Sequence, residues 1–203
     1  MAYLSYIGVF VLGIILSKII KNYLAKNYYI NIKIDKTIFL ELILCTAFII
    51  NIYLFGLTYK FIEICCFSVC IITIATIDFY LKIIPNKIVF LFAITNLLFV
   101  LLNYIIYSEN MFIYICGIFS ASAVLFIVSF FSNGSIGGGD IKFVAASGLL
   151  LGWKLSITGL FVSLLIAGFI LLALLLLKRI DSATLVPLGP FLAIGMYISI
   201  LLV

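Results

Sequence analysis

No histidine occurs among the 203 residues. That absence removes the usual general base of serine and cysteine hydrolases and the commonest metal ligand, although composition alone leaves a Ser–Lys pair open. Charge is almost as scarce. Asp, Glu, Lys and Arg make up 9% of the chain and apolar residues 67%, where a soluble domain carries about 25% charged residues, so a soluble globular class is excluded. Cysteine is present but never as a C-x-x-C pair. Cys45, Cys65, Cys66, Cys70 and Cys116 all sit inside apolar runs. Zinc wants about four ligands, so these thiols read as small polarisable packing residues. Internal repeats, low-complexity segments and a linker long enough to separate domains are also missing. The expectation is one membrane-embedded domain over 1–203, with a first helix and short basic loop in 1–37 and the core in 38–203.

What is abundant is apolar sequence. A helix needs about 20 mostly apolar residues to cross the hydrocarbon core, and about eight runs qualify: Tyr3–Asn22, Ile38–Leu57, Phe61–Ile77, Ile88–Tyr107, Met111–Phe131, Phe143–Ser156, Ile157–Leu177 and Pro187–Val203. Only Gly152, Trp153, Lys154 and Gly159 interrupt the sixth and seventh. The fold class is all-α, a polytopic membrane protein with about eight transmembrane helices.

The first run has no Lys or Arg before it and a basic cluster (Lys18, Lys21, Lys26, Lys33, Lys36) after it, the reverse of a cleaved secretory signal, and is expected to be a retained helix. Cytoplasmic loops carry the excess of Lys and Arg. With the N-terminus outside and eight alternating helices, ten basic residues fall inside and two, Lys60 and Lys154, outside. The net charge of +5 then reflects loops facing anionic lipid, and no nucleic-acid partner is implied.

Acidic residues in membrane helices are costly and mark function by default. Of the seven, Asp35, Asp181 and Glu109 fall in loops, and Glu63 opens the third helix where its side chain can reach water. Glu41, Asp78 and Asp140 remain, each at the inner rim in this topology and each from a different helix. Asp78 ends the run "IITIATID" and precedes "FYLKIIPNK", where Pro85 drives Ile84 out of the helical region and fixes a corner. Asp140 follows Gly137, Gly138 and Gly139, which lack the side chains that would keep another backbone away and so form an approach path for a peptide. Lys142 cannot face Asp140 from two positions on and reads as an inner-face anchor or a supporting group. The "GLLLG" run, Gly148 to Gly152, permits close helix contact and would pin the helix that carries Asp140.

Two carboxyls close together in a poorly solvated site cannot easily both ionise, so the pair holds one proton over a wide pH range. The ionised member can take a proton from an attacking water while the protonated member hydrogen-bonds a carbonyl oxygen, an arrangement for peptide hydrolysis that needs no cofactor and no metal.

These residues resemble the type IV prepilin leader peptidases, intramembrane aspartyl proteases with a G-x-G-D motif. "IDFYLKIIPNKI" (Ile77 to Ile88) is similar to the segment around the family's first catalytic aspartate, and "GGGDIKFVAASGLLLGW" (Gly137 to Trp153) to that around the second. "LEL" (Leu40 to Leu42) and "PLGPFLAIG" (Pro187 to Gly195) resemble further blocks, so the likeness runs from about residue 38 to the C-terminus. It implies Asp78 and Asp140 as catalytic residues, Gly137, Gly138 and Gly139 as the motif at the substrate's approach, and Glu41 and Lys142 as supporting groups. It implies an endopeptidase in the cytoplasmic membrane of a prokaryote. Such an enzyme removes the short basic leader of type IV prepilin-like or pseudopilin substrates at the cytoplasmic face. Bifunctional members carry a cytoplasmic insert with paired C-x-x-C motifs between their first two helices and also methylate the new N-terminus. Here that place holds only "NYLAKNYYINIKIDK", without cysteine, so methyltransferase activity is not expected. The competing readings are an ion-coupled transporter, whose carboxylates would lie near the bilayer midplane, and a non-catalytic subunit of a pilus or secretion assembly.

Overall fold

A computed structural model of the chain describes residues 2–28, 34–132, 134–179 and 186–202. Among the described residues every regular element is a helix: α1 Ala2–Tyr28, α2 Ile34–Phe55, α3 Tyr59–Leu81, α4 Asn86–Tyr107, α5 Met111–Phe131, α6 Gly138–Leu176 and α7 Gly189–Leu201. These segments are rich in Ile, Val and Phe, which suit strands in water. In hydrocarbon each backbone N–H and C=O must be satisfied within its own segment, and a helix does that.

The all-α, polytopic expectation holds, and the expected count of about eight spans goes beyond what the described helices show. Among the described residues six helices, α1 to α6, are long and apolar enough to cross a membrane. The 13 residues of α7 rise only about 20 Å, short of the roughly 30 Å core. The sixth and seventh runs are joined in α6, 39 residues long, because the turn between them needs no loop. Gly152 alone leaves helical geometry, with φ 70° and ψ 175°, a conformation open to glycine and costly for other residues. A Cβ placed on Gly148 would lie 2.9 Å from Ser156 Oγ, eight residues on, where a straight helix would have climbed about 12 Å. So α6 bends sharply at Gly152.

The helices group into two compact units, 1–73 and 74–203, with the division inside α3. In the first, α1 and α2 approach closely where a Cβ on Gly13 would stand 2.9 Å from Cys45 Sγ. Its core holds Leu44, Phe48, Ile64 and Phe67, and a polar knot in which the Asn51 amide donates to Ser68 Oγ (3.3 Å) and to Cys65 Sγ (3.6 Å). Glu63, expected to reach water, is 1% exposed and pairs at 2.9 Å with Lys60. The i, i+3 spacing lets the long lysine stem carry its charge to the buried carboxylate.

In the second unit α5 and α6 cross with almost no space between backbones. A Cβ on Gly117 would fall 2.1 Å from the Gly148 carbonyl oxygen, the small-residue packing that "GLLLG" suggests. Gly195 of α7 is pressed likewise against Gly159 and Ser163. α4 is tied to α6 by Phe92 and Phe143, whose ring centroids stand 6.0 Å apart, and by the Asn96 amide donating to the Ala146 carbonyl at 2.8 Å. Phe119, Phe126, Phe130 and Phe131 are exposed, as befits a surface whose solvent is lipid.

Candidate active site

Three helix ends of the second unit build the site. α3 stops just after Asp78: Lys82 takes a left-handed conformation (φ 55°) while its N–H bonds the Asp78 carbonyl at 2.8 Å. Pro85, which lacks an N–H and is extended (φ −71°, ψ 127°), caps α4. The corner expected from Ile84–Pro85 is therefore present, and it holds Asp78 in the last turn of α3.

Asp78 is 5% exposed. Its Oδ2 accepts a 2.8 Å hydrogen bond from the backbone N–H of Gly189, the first residue of α7. Asp140 lies in the first turn of α6. Its own N–H bonds the Gly137 carbonyl at 3.0 Å, and Gly137 holds an extended N-cap conformation (φ −64°, ψ 139°). The two carboxyls lie within electrostatic range of each other. Asp140 Oδ1 is buried and has no hydrogen-bond partner among the described residues, the kind of group that calls for a functional explanation.

The three glycines of the motif have different surroundings. A Cβ on Gly137 would stand 3.0 Å from Asp140 Oδ2, and one on Gly139 would stand 2.9 Å from Ile84 Cβ. Gly139 therefore lets α6 meet the Ile84–Pro85 corner. Gly138 has nothing within 4 Å of a Cβ and is the open face of the three. Lys142 does not turn to Asp140. Its ammonium donates to Asn86 Oδ1 at 3.0 Å, linking the starts of α6 and α4. Glu41 stands on α2 in the first unit, partly exposed. Among the described residues no three Cys, Asp or Glu side chains gather as a metal site.

Gly189 has no role in the motif reading. The "PLGP" block is its only signal in the sequence, and a backbone donor leaves no side chain to recognise. Asn86, as partner of Lys142, is likewise invisible from spacing.

Residues 65–173 match the type IV leader peptidase family, a stretch that takes in both aspartates and more than half of the chain. The chain belongs to that family. It is also similar to the prepilin leader peptidase/N-methyltransferase of Bacillus subtilis (strain 168), 26% identical over 151 residues. That alignment covers 72% of this chain and 58% of the relative, so the chain spans well under two thirds of its curated relative. No solved structure matches it significantly. A family of membrane peptidases accords with an all-helical, polytopic chain.

Proposed function

We propose that this chain is a membrane-embedded aspartic endopeptidase that removes the short basic leader of type IV prepilin-like or pseudopilin proteins at the cytoplasmic face of a prokaryotic membrane. The observation that carries the proposal is that Asp78 and Asp140, 62 positions apart in sequence, stand within electrostatic range of each other at helix ends beside an open glycine backbone. One carboxylate takes a proton from water as its oxygen bonds to the scissile carbonyl carbon. The other, protonated, donates to the carbonyl oxygen. The resulting diol collapses as a proton passes to the amide nitrogen, breaking the C–N bond. Irregular backbone at membrane depth is tolerated where it lines protein or water, and residues 134–137 before α6, with the open Gly138 next to them, offer such a lining to an extended peptide.

With the N-terminus outside and α1 to α5 crossing in turn, the end of α3 and the start of α6 fall on the inner side, and the excess of basic residues in the loops there supports that placement of Asp78 and Asp140. Lys142 is kept as a supporting group through its bond to Asn86. The cysteine-free stretch after α1 supports a peptidase without methyl transfer, and no cofactor is invoked.

The test is co-expression with candidate prepilins and detection of the shorter product on a gel. Leader removal that depends on this chain supports the reading. Full-length substrate with every candidate, at matched membrane levels, would sink it.

A further inference from the structure

We propose that Ser129 is a positioning residue: its hydroxyl holds the glycine turn before α6 and, through that turn, aims Asp140. The inference rests on the peptidase reading and deepens it.

A serine inside a helix most readily gives its hydroxyl proton to a carbonyl three or four residues back in the same helix. Ser68, Ser122, Ser147 and Ser163 do so, bonding the carbonyls of Ile64, Ile118, Phe143 and Gly159. Ser129, in the last turn of α5, departs from that habit. Its Oγ donates at 3.1 Å to the carbonyl of Ile136, seven residues on and outside the helix. Its own carbonyl accepts from the Gly134 N–H at 2.8 Å. Gly134 makes that bond with φ 83°, a conformation that glycine takes without strain. Ser129 therefore holds the chain at two points between α5 and α6, and one of the two depends on its side chain.

What the hydroxyl holds leads directly to the carboxyl. Ile136 precedes Gly137, the N-cap of α6, whose carbonyl accepts from the Asp140 N–H at 3.0 Å and from the Ile141 N–H at 3.4 Å. A shift of the Ile136 carbonyl turns this cap, and with it the first turn of α6. The close crossing of α5 and α6 lies too far off to prevent that. It is centred on Gly117 and Gly148, and Gly148 is about 12 Å along the helix from Asp140. The other ties near Asp140 run toward α4, through Gly139 against Ile84 and Lys142 on Asn86. Ser129 supplies the tie to α5.

The experiment compares the purified full chain with its Ser129→Ala and Ser129→Thr variants. It measures kcat and KM on a fluorogenic peptide made of a basic leader and the start of an apolar helix, thermal melts, and amide hydrogen exchange over residues 134–140. Alanine removes the hydroxyl yet favours a helix more than serine does, so α5 itself is not weakened. Threonine keeps the donor. In Ser129→Ala, exchange in the turn should speed up several-fold. Its kcat should fall by about tenfold to a hundredfold, since a misplacement near 1 Å costs on the order of a hundredfold, while KM stays within about twofold. The melt should stay near that of the wild type, and Ser129→Thr should recover most of the rate and the slow exchange. Wild-type kcat or unchanged exchange in Ser129→Ala would overturn the proposal. So would an equal loss in Ser129→Thr, a loss confined to KM, or an alanine variant that does not fold, which would make Ser129 a folding residue. A wild-type chain that does not cleave refutes the peptidase reading instead, and exchange in the turn still reports whether Ser129 holds it.

Discussion

Gly139→Ala should inactivate the protein by moving a corner, without touching either carboxyl. A Cβ at this position would stand 2.9 Å from Ile84 Cβ and 3.4 Å from the Ile84 carbonyl oxygen, where carbon atoms rest at about 3.5–4.0 Å. Ile84 Cβ is not the free end of a side chain, so rotation cannot relieve the clash. The turn between α3 and α4 must withdraw from α6 by somewhat under 1 Å. That turn holds Asp78 and α6 holds Asp140, so the separation of the carboxyls changes with it. Overpacking of this kind costs roughly 1–3 kcal/mol in stability, which a folded membrane protein survives. A misplacement near 1 Å costs on the order of a hundredfold in rate. Gly138→Ala is the control, since a Cβ there meets nothing within 4 Å. It should fold as the wild type does and lose activity only as far as the peptide passes over it. Cleavage rates in detergent at matched protein levels, with thermal melts alongside, decide the matter. Wild-type rates in Gly139→Ala would show that the Ile84 contact does not set the geometry of the pair.

Replacing Cys45, Cys65, Cys66, Cys70 and Cys116 together by Ala or Ser should leave cleavage intact and lower the melting temperature, because Cys65 accepts from Asn51 and Cys45 packs against Gly13. A variant that folds but is dead would reveal a thiol or metal role. Gly117→Ala, which would put a Cβ 2.1 Å from the Gly148 carbonyl oxygen, should cost at least about 3 kcal/mol and show as poor membrane accumulation or a large fall in melting temperature. A melt unchanged from wild type would contradict the close crossing of α5 and α6. Mass spectrometry of processed substrate made with this chain alone, in the presence of S-adenosylmethionine, should find an unmethylated N-terminus. A methyl group there would refute the peptidase-only reading.

Seven of the eight apolar runs fall in the six long helices, two of them in α6, because length and hydropathy are what a bilayer selects for. The rest of the fold was hidden where a single residue does the turning. Gly152 bends α6 with one left-handed conformation, and nothing in "GLLLGWK" distinguishes that from a glycine inside a continuous helix. Glu63 looked like an exposed opening residue, yet it is buried against Lys60, because three residues of helix bring a lysine stem over it. Asp78 and Asp140 were legible as site candidates because charge is rare in this chain and each stands beside a backbone breaker, Pro85 or the glycine run. Gly189 was not, since its contribution is an N–H reaching a carboxylate 111 positions away. The different duties of Gly138 and Gly139 were equally closed to the sequence, which shows three identical letters where the fold gives one to open space and one to Ile84.

The most direct test of the proposed chemistry is single-turnover cleavage by purified Asp78→Asn and Asp140→Asn. Asparagine keeps the shape of each side chain and removes its ability to exchange a proton. Both variants should insert, melt near the wild-type temperature and fall in rate by at least about a thousandfold, since each removes one half of a proton-transfer pair. Substantial cleavage by either folded variant would contradict the two-aspartate site.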